Sequence, residues 1–436
     1  MPKRMLDIAS TIATRFGGKA INFLSFVIVL RELPLSDSAL YGYIFSITLI
    51  FSTLLDVGLR NSLAVAIGNS PHHLSKHTQY GFIFWLGVSV LSIPLCYLGL
   101  LYSGLDANTG TLLPPTVVLL SALLYIRIMQ GPILGSGLIG VFNKSEMASR
   151  TFLFAGTVGL LIVPGAFTLI SAVWVLAISQ MAAACYLFLL QKKTIFSERQ
   201  KLDELLPLIR RGSIFMLAVV LMTASKRISF FAVGHISNDT SAGLFFGLQR
   251  FTEIITEIGM AVAVVAFSYA VRASNNDSAI QSVVTPTRIS TAFFVALAVA
   301  MGSTSEWLVP LVLGESFGTD NTLFILLLLA TLIGSVWTMI FPSLSVASSP
   351  KTVFWLLVPG VSLNVVLIPT LMPTQGLYGA AVAMLISNIV ILTTFLVYCK
   401  KSFGIPYLDF LLVSKKDIKE ISESIKNLPS RRKKRN

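Results

Sequence analysis

The chain has 436 residues, of which 54% are hydrophobic and only 12% charged, with a formal net charge of +13. A soluble domain carries about twice that share of charge. Apolar runs of about 18 residues or more recur along the whole length, which excludes a soluble globular protein; a transmembrane barrel, built from short alternating segments, is excluded as well.

Taken in order, the apolar runs predict twelve membrane-spanning helices. The first six are Thr11–Leu30, Tyr41–Ala64, Tyr80–Tyr102, Leu112–Leu134, Met147–Val163 and Leu169–Leu190. The second six are Ser213–Gly234, Leu244–Val271, Ile289–Leu311, Leu323–Val346, Val353–Met372 and Tyr378–Cys399. The N-terminus has a basic start but no small-residue cleavage site, so the first run reads as a retained helix and not a signal peptide. Cys96, Cys185 and Cys399 lie in or at the ends of apolar helices, where they serve as small packing residues and suggest no disulfide framework.

Charge orients these spans. With the N-terminus inside, the inner segments hold Lys3, Arg4, Arg60, Lys76, Lys144, Arg150, the Lys192–Arg211 stretch, Arg272, Arg288, Lys351 and the tail. The outer loops hold one base, Arg31, beside Glu32, Asp37, Asp106, Asp239, Glu315 and Asp320. An even span count and cytoplasmic termini follow. The net charge is therefore topology plus tail, not a nucleic-acid signal. The basic tail, which ends in SRRKKRN, suits a cytoplasmic segment lying on anionic headgroups.

The longest inner linker separates the sixth and seventh spans. The expected organisation is a six-helix lobe over 1–190, a linker over 191–212, a second lobe over 213–400 and a tail over 401–436. An offset of 201 residues lays Gly42 on Gly243, Asp56 on Glu257 and Gly58 on Gly259. With six helices per half, this is a parallel repeat about an axis along the membrane normal. The expected fold is all-α: two such lobes around a central cationic cavity.

Charges left inside spans are costly and usually face a bundle interior or a watery cavity. The bases are Arg15, Lys19, Arg127, Lys226, Arg227 and Arg250; the acids are Asp56, Glu253 and Glu257. Arg15, Lys19 and Asn22 fall on one face of the first helix, and Arg250, Glu253 and Glu257 on one face of the eighth. Bases outnumber acids, so the cavity suits an anionic substrate, and guanidinium forks match phosphate oxygens. The competing structural readings are specific. Arg15 can snorkel to headgroups. Asp56 with Arg60, and Arg250 with Glu253, have the spacing of local ion pairs. Lys226 and Arg227 are adjacent in the seventh helix, so one must point away from the other and only one would face the lumen. Glu257 has no base three or four residues away and is the first candidate for ion coupling, with Glu253 and Asp56 behind it.

His72, His73 and His77 sit in an inner loop without a Cys or carboxylate nearby and read as a solvated loop, not a metal site. No Walker A, GxSxG, HExxH or CxxC motif occurs, and no cofactor is called for. An enzyme is not expected, a membrane glycosyltransferase or polymerase being the alternative from that class.

The opening ATRFGGKAINFLSFVIVLRELPLSDSALYGYIFSITLIFSTLLDVGLRNSL resembles Wzx-type O-antigen and polysaccharide flippases of the multidrug/oligosaccharidyl-lipid/polysaccharide exporter superfamily. The basic first helix, the Leu33–Pro34 step, the YGY element and the Asp56-x-Gly58-Leu59 turn carry the resemblance over about the first 70 residues; beyond them only the twelve-span plan is shared. The resemblance implies transfer of an undecaprenyl-diphosphate-linked oligosaccharide from the cytoplasmic to the periplasmic leaflet of the bacterial inner membrane, without ATP. It implies a cationic lumen, for which the candidates are the six bases named above (Arg15, Lys19, Arg127, Lys226, Arg227 and Arg250), and a lateral opening bordered by the first and eighth helices, which carry Arg15, Lys19 and Arg250. Membrane lipid, a polysaccharide polymerase and chain-length proteins are the implied partners. A multidrug exporter of the same superfamily or another secondary transporter with two six-helix lobes is the alternative.

Overall fold

A computed structural model describes residues 17–18, 20–69, 71–103, 108–197, 205–270, 275–318 and 320–413. Every regular element among them is helical. The first, α1, covers 20–32. It is followed by α2 (Leu35–Leu55), α3 (Leu59–Asn69), α4 (Leu74–Ser89), α5 (Ser92–Leu101), α6 (Thr109–Gly135), α7 (Ile139–Ile162) and α8 (Leu169–Ile195). The second half comprises α9 (Leu205–Ser225), α10 (Ile228–Ile236), α11 (Asp239–Thr252), α12 (Ile254–Ala270), α13 (Asn276–Ser303), α14 (Ser305–Leu313), α15 (Asn321–Ala347), α16 (Pro350–Gln375), α17 (Leu377–Phe403) and the short α18 (Leu408–Leu411).

Eight of these helices are long and apolar enough to cross a membrane alone, and α4 with α5 makes a ninth span bent by 45°. Three expected spans, the first, fifth and eighth, are not among these nine. The inner end of the first lies outside the described residues. The fifth, α7, begins at Ile139, two turns before the expected start, and so takes in Lys144 and Glu146 in addition to Arg150. The eighth is interrupted at Glu253 between α11 and α12. The protein is thus an all-α membrane protein of about twelve spans.

Arg150, counted with the inner basic residues although it falls within the expected fifth span, lies within α7 and is only 9% exposed. Its guanidinium bonds Glu146 one turn earlier at 2.7 Å, and this neutralisation lets the helix bury it. Gly18 of the first span packs against it: a Cβ at Gly18 would lie 2.7 Å from the Met147 sulfur and 3.1 Å from Arg150 Cδ.

Three expected spans break at their own charges. α2 gives way to α3 at Asp56–Gly58, α9 to α10 at Lys226–Arg227, and α11 to α12 at Glu253. A break inside a membrane frees backbone groups that must find polar partners. The Asp56 carboxylate takes the amide of Arg60 at 3.0 Å, and Gln249 donates to the Lys226 carbonyl at 2.8 Å.

The packing divides along the membrane normal. At the end where α1 turns into α2 and α10 into α11, called here the upper end, one apolar core joins both halves, from Phe26, Leu40 and Ile44 to Phe245, Phe324 and Met384. At the lower end the core splits in two. One part centres on Leu63, Tyr125 and Ile128 of the first half, and the other on Trp337, Leu344 and Phe395 of the second. Helix α9 reaches across this division, with Leu208 buried in the first half's core.

Glycines set both crossings between the halves. At the upper end a Cβ on Gly42 would lie 2.6 Å from the Phe246 ring, and one on Gly243 would lie 2.6 Å from the carbonyl carbon of Leu35. The two glycines aligned by the 201-residue offset thus both serve the α2–α11 crossing. At the lower end Gly58 (φ +68) abuts the backbone of Gly212, where a Cβ would lie 2.6 Å from the Val57 carbonyl oxygen. Val57 is itself left-handed (φ 50), a conformation strained for a β-branched residue. The third aligned pair does not share a conformation. Gly259 stays within α12 against Met339 and Phe294, because the eighth span breaks one turn earlier, at Glu253.

Candidate functional site

Three of the intramembrane charges gather where the common upper core ends. Arg227 follows α9, Arg250 closes α11 and Glu253 sits at the α11–α12 junction; their exposures are 6%, 8% and 8%. Arg227 contacts the Glu253 carboxylate at 2.8 and 3.1 Å, and Arg250 bonds it at 2.5 Å. Two positive charges therefore share one negative charge, and the excess is positive.

The first half supplies the aromatic side of this cluster. The Arg250 guanidinium lies 4.2 Å from the ring centre of Phe26 on α1 and 4.9 Å from that of Phe45 on α2. Phe23 stacks on Phe251 at 5.6 Å. Cation–π contacts of this kind are strongest away from water. The cluster is thus an element of the contact between the halves.

Lys226 lies beside the triad in a small polar pocket with Ser225, Gln249, Glu253, Thr256 and Asn388. Its ammonium stands 5.9 Å from the ring of Trp337, whose indole donates to Asn388 at 3.0 Å. Lys226 and Arg227, expected to point apart, both lie beside Glu253. On an unbroken helix neighbours diverge by about 100°, but the break places Arg227 on the Glu253 carboxylate and Lys226 in the pocket that Glu253 also lines.

Asp56, 4% exposed, pairs across helices with Arg127 of α6 at 3.5 Å. Arg127 keeps 23% of its side chain exposed. The expected Asp56–Arg60 relation exists through the Arg60 amide, so its role is to cap α3. Each half thus has a carboxylate at a helix break held by arginine, but Asp56 is matched in role by Glu253 and not by Glu257. Glu257, half-buried in the first turn of α12, is engaged in an electrostatic or hydrogen-bonding interaction and is not the unpartnered carboxylate that helix spacing suggested. The supposed continuous stripe of Arg250, Glu253 and Glu257 is interrupted by the break. Arg15 and Lys19 lie outside the described residues.

Sequence reasoning missed several participants. Gln249 is fully buried and holds the broken backbone. Thr252 bridges to Thr331 at 2.9 Å and Thr256 to Ser335 at 3.0 Å, tying the two helices that flank the break to α15. The available signal was the polar run Gln249–Arg250 inside an aromatic stretch. Among the described residues no group of three or more metal-ligating side chains converges.

A model of the polysaccharide biosynthesis protein family matches residues 31–319. The chain belongs to that family. Comparison with curated proteins gives no match. Among solved structures, the chain is similar to the lipid II flippase MurJ in an inward closed conformation, with a TM-score of 0.69 and 17% identity, covering 92% of this chain and 89% of that one. It is also similar to the eukaryotic MATE transporter AtDTX14, with a TM-score of 0.67 and 14% identity over 89% and 92% of the two chains. A transporter of the MOP superfamily from Pyrococcus furiosus, described as having a binding pocket of reversed polarity, gives a TM-score of 0.63 at 14% identity, over 91% and 95%. At these identities the similarity establishes a shared fold, and the residue chemistry has to be read from this chain itself.

Proposed function

We propose that this family member is a flippase. It carries an undecaprenyl-diphosphate-linked oligosaccharide, an O-antigen or related polysaccharide repeat unit, from the cytoplasmic to the periplasmic leaflet by alternating access. The observation that carries this reading is the net-positive Arg227–Glu253–Arg250 cluster, buried where the shared upper core gives way to two separate lower cores. A diphosphate entering from the lower side meets guanidinium forks suited to its oxygens. Arg127, Lys226, Arg15 and Lys19 extend the cationic set, while the lipid tail stays in the bilayer.

The basic residues of the lower loops support a cytoplasmic lower end and a bacterial inner-membrane location. Outward movement of about two negative charges gains about 4.6 kcal/mol per 100 mV of membrane potential if the carrier's charges stay in place. The functional lobes are then 1–190 and 213–400, although helices α8 and α9 extend into the expected linker, to Ile195 and from Leu205. A multidrug exporter of cationic compounds would need an acid-dominated centre, which the surplus of arginine disfavours.

The test is reconstitution. Proteoliposomes carrying the protein and a fluorescent undecaprenyl-diphosphate-linked oligosaccharide should move the lipid between leaflets, in a manner stimulated by an imposed potential. Transfer no faster than in protein-free vesicles sinks the proposal.

A further inference from the structure

The buried charged side chains of the protein differ in how their charges are compensated. Glu253 is bonded by two guanidiniums, Asp56 by one guanidinium and one amide, and Arg150 by Glu146. Lys226 is the exception. Among the described residues its ammonium makes no salt bridge. It rests 5.9 Å from the ring of Trp337, a side chain with no solvent exposure.

The groups facing Lys226 leave one mobile proton. From its own break comes Arg227, and from the α11–α12 junction comes Glu253, which Arg250 also holds. Helices α15 and α17 present Thr331, Trp337 and Asn388, none of which titrates. A guanidinium keeps its proton under all physiological conditions. The Glu253 carboxylate has both oxygens engaged by arginines. An ammonium on a lysine stem is the group of this set that exchanges a proton when buried among like charges.

We propose that Lys226 is the proton-exchanging member of the cluster and sets its charge. With the proton in place, Lys226 adds a second excess positive charge; without it, the triad alone carries one. An anion bound at the cluster favours the protonated form, so anion binding draws a proton to Lys226, and by reciprocity loss of that proton loosens the anion. Only the identity of the anion as a lipid diphosphate rests on the flippase reading.

Trp337 reports the event directly, because an ammonium beside an indole perturbs its emission. In the full-length protein, Trp85, Trp174, Trp307 and Trp355 would be replaced by Phe, leaving Trp337 as the sole tryptophan. Its fluorescence in detergent would then be followed from neutral to alkaline pH. The expected result is a single-proton step that is absent in both Lys226→Arg and Lys226→Gln. Lys226→Arg keeps the charge and controls for folding. Undecaprenyl diphosphate should shift the step to higher pH in the parent and have no such effect in Lys226→Arg. A step that persists unchanged in Lys226→Arg, or no step in the parent, overturns the assignment. A Lys226-dependent step that undecaprenyl diphosphate fails to move leaves the proton site standing and counts against the lipid-diphosphate reading.

Discussion

Arg227 and Glu253 stand at two different helix breaks and meet through contacts of 2.8 and 3.1 Å. Each interruption would leave a charge exposed to an apolar interior. Together they neutralise one another and join the seventh span to the eighth. Arg250 adds a second guanidinium to the same carboxylate, so the junction is both a structural clasp and a centre of positive charge.

Removing the carboxylate tests the clasp. Glu253→Gln leaves two buried guanidiniums without an anion, and losing one partner of a buried pair costs about 3–5 kcal/mol. The expected outcome is a clear fall in thermal stability of the detergent-solubilised protein, followed by intrinsic fluorescence. An unchanged melting transition would show that water or lipid phosphate compensates Arg227 and Arg250.

Removing single arginines should separate transport from folding. Arg250→Ala leaves Arg227 to neutralise Glu253, and Arg127→Ala leaves Asp56 bonded to the Arg60 amide. Both variants are expected to reach the membrane at normal levels while surface polysaccharide falls severalfold in a complementation assay. Normal polysaccharide display by both would remove them from the transport path.

The glycine crossing at the lower end can be measured against an internal control. Gly137 is also left-handed (φ +69) but has open space around it, whereas Gly58 abuts the Gly212 backbone. Gly137→Ala should cost only the backbone term, about 1–2 kcal/mol for a non-glycine residue in that conformation. Gly58→Ala should cost distinctly more, since neither backbone can yield without shifting a helix. Equal losses in thermal stability would show that the α3–α9 contact carries little energy.

At the upper end, Gly243→Ala pushes a Cβ into the backbone of Leu35. The predicted result is a loosened α2–α11 contact, seen as faster maleimide labelling of a cysteine introduced at Phe45. Labelling at the parent rate would place the seal elsewhere in the upper core.

The spans were legible because bilayer crossing is a property of local composition: about 20 apolar residues suffice, whatever they later touch. Counting charges failed for Arg150, which was grouped with the inner basic residues although it lies within the fifth expected span. In the folded chain Glu146 neutralises the arginine one turn away, and the helix continues through both. The repeat was legible in Gly42 and Gly243, which both serve the upper crossing. It misled for Asp56 and Glu257, because sequence alignment is blind to a helix break displaced by one turn.

The sequence alone determined that this is an all-helical membrane protein of about twelve spans, with a scarce set of charges inside them and more bases than acids. Those properties depend on residue type and spacing along the chain. Only the tertiary structure decided how the charges are used: Arg227 with Glu253, Arg127 with Asp56, Lys226 left beside Trp337. Pairing requires side chains from separate helices to converge within about 3–4 Å. That convergence depends on where helices break and which glycines let them cross, neither of which regular helical periodicity can express.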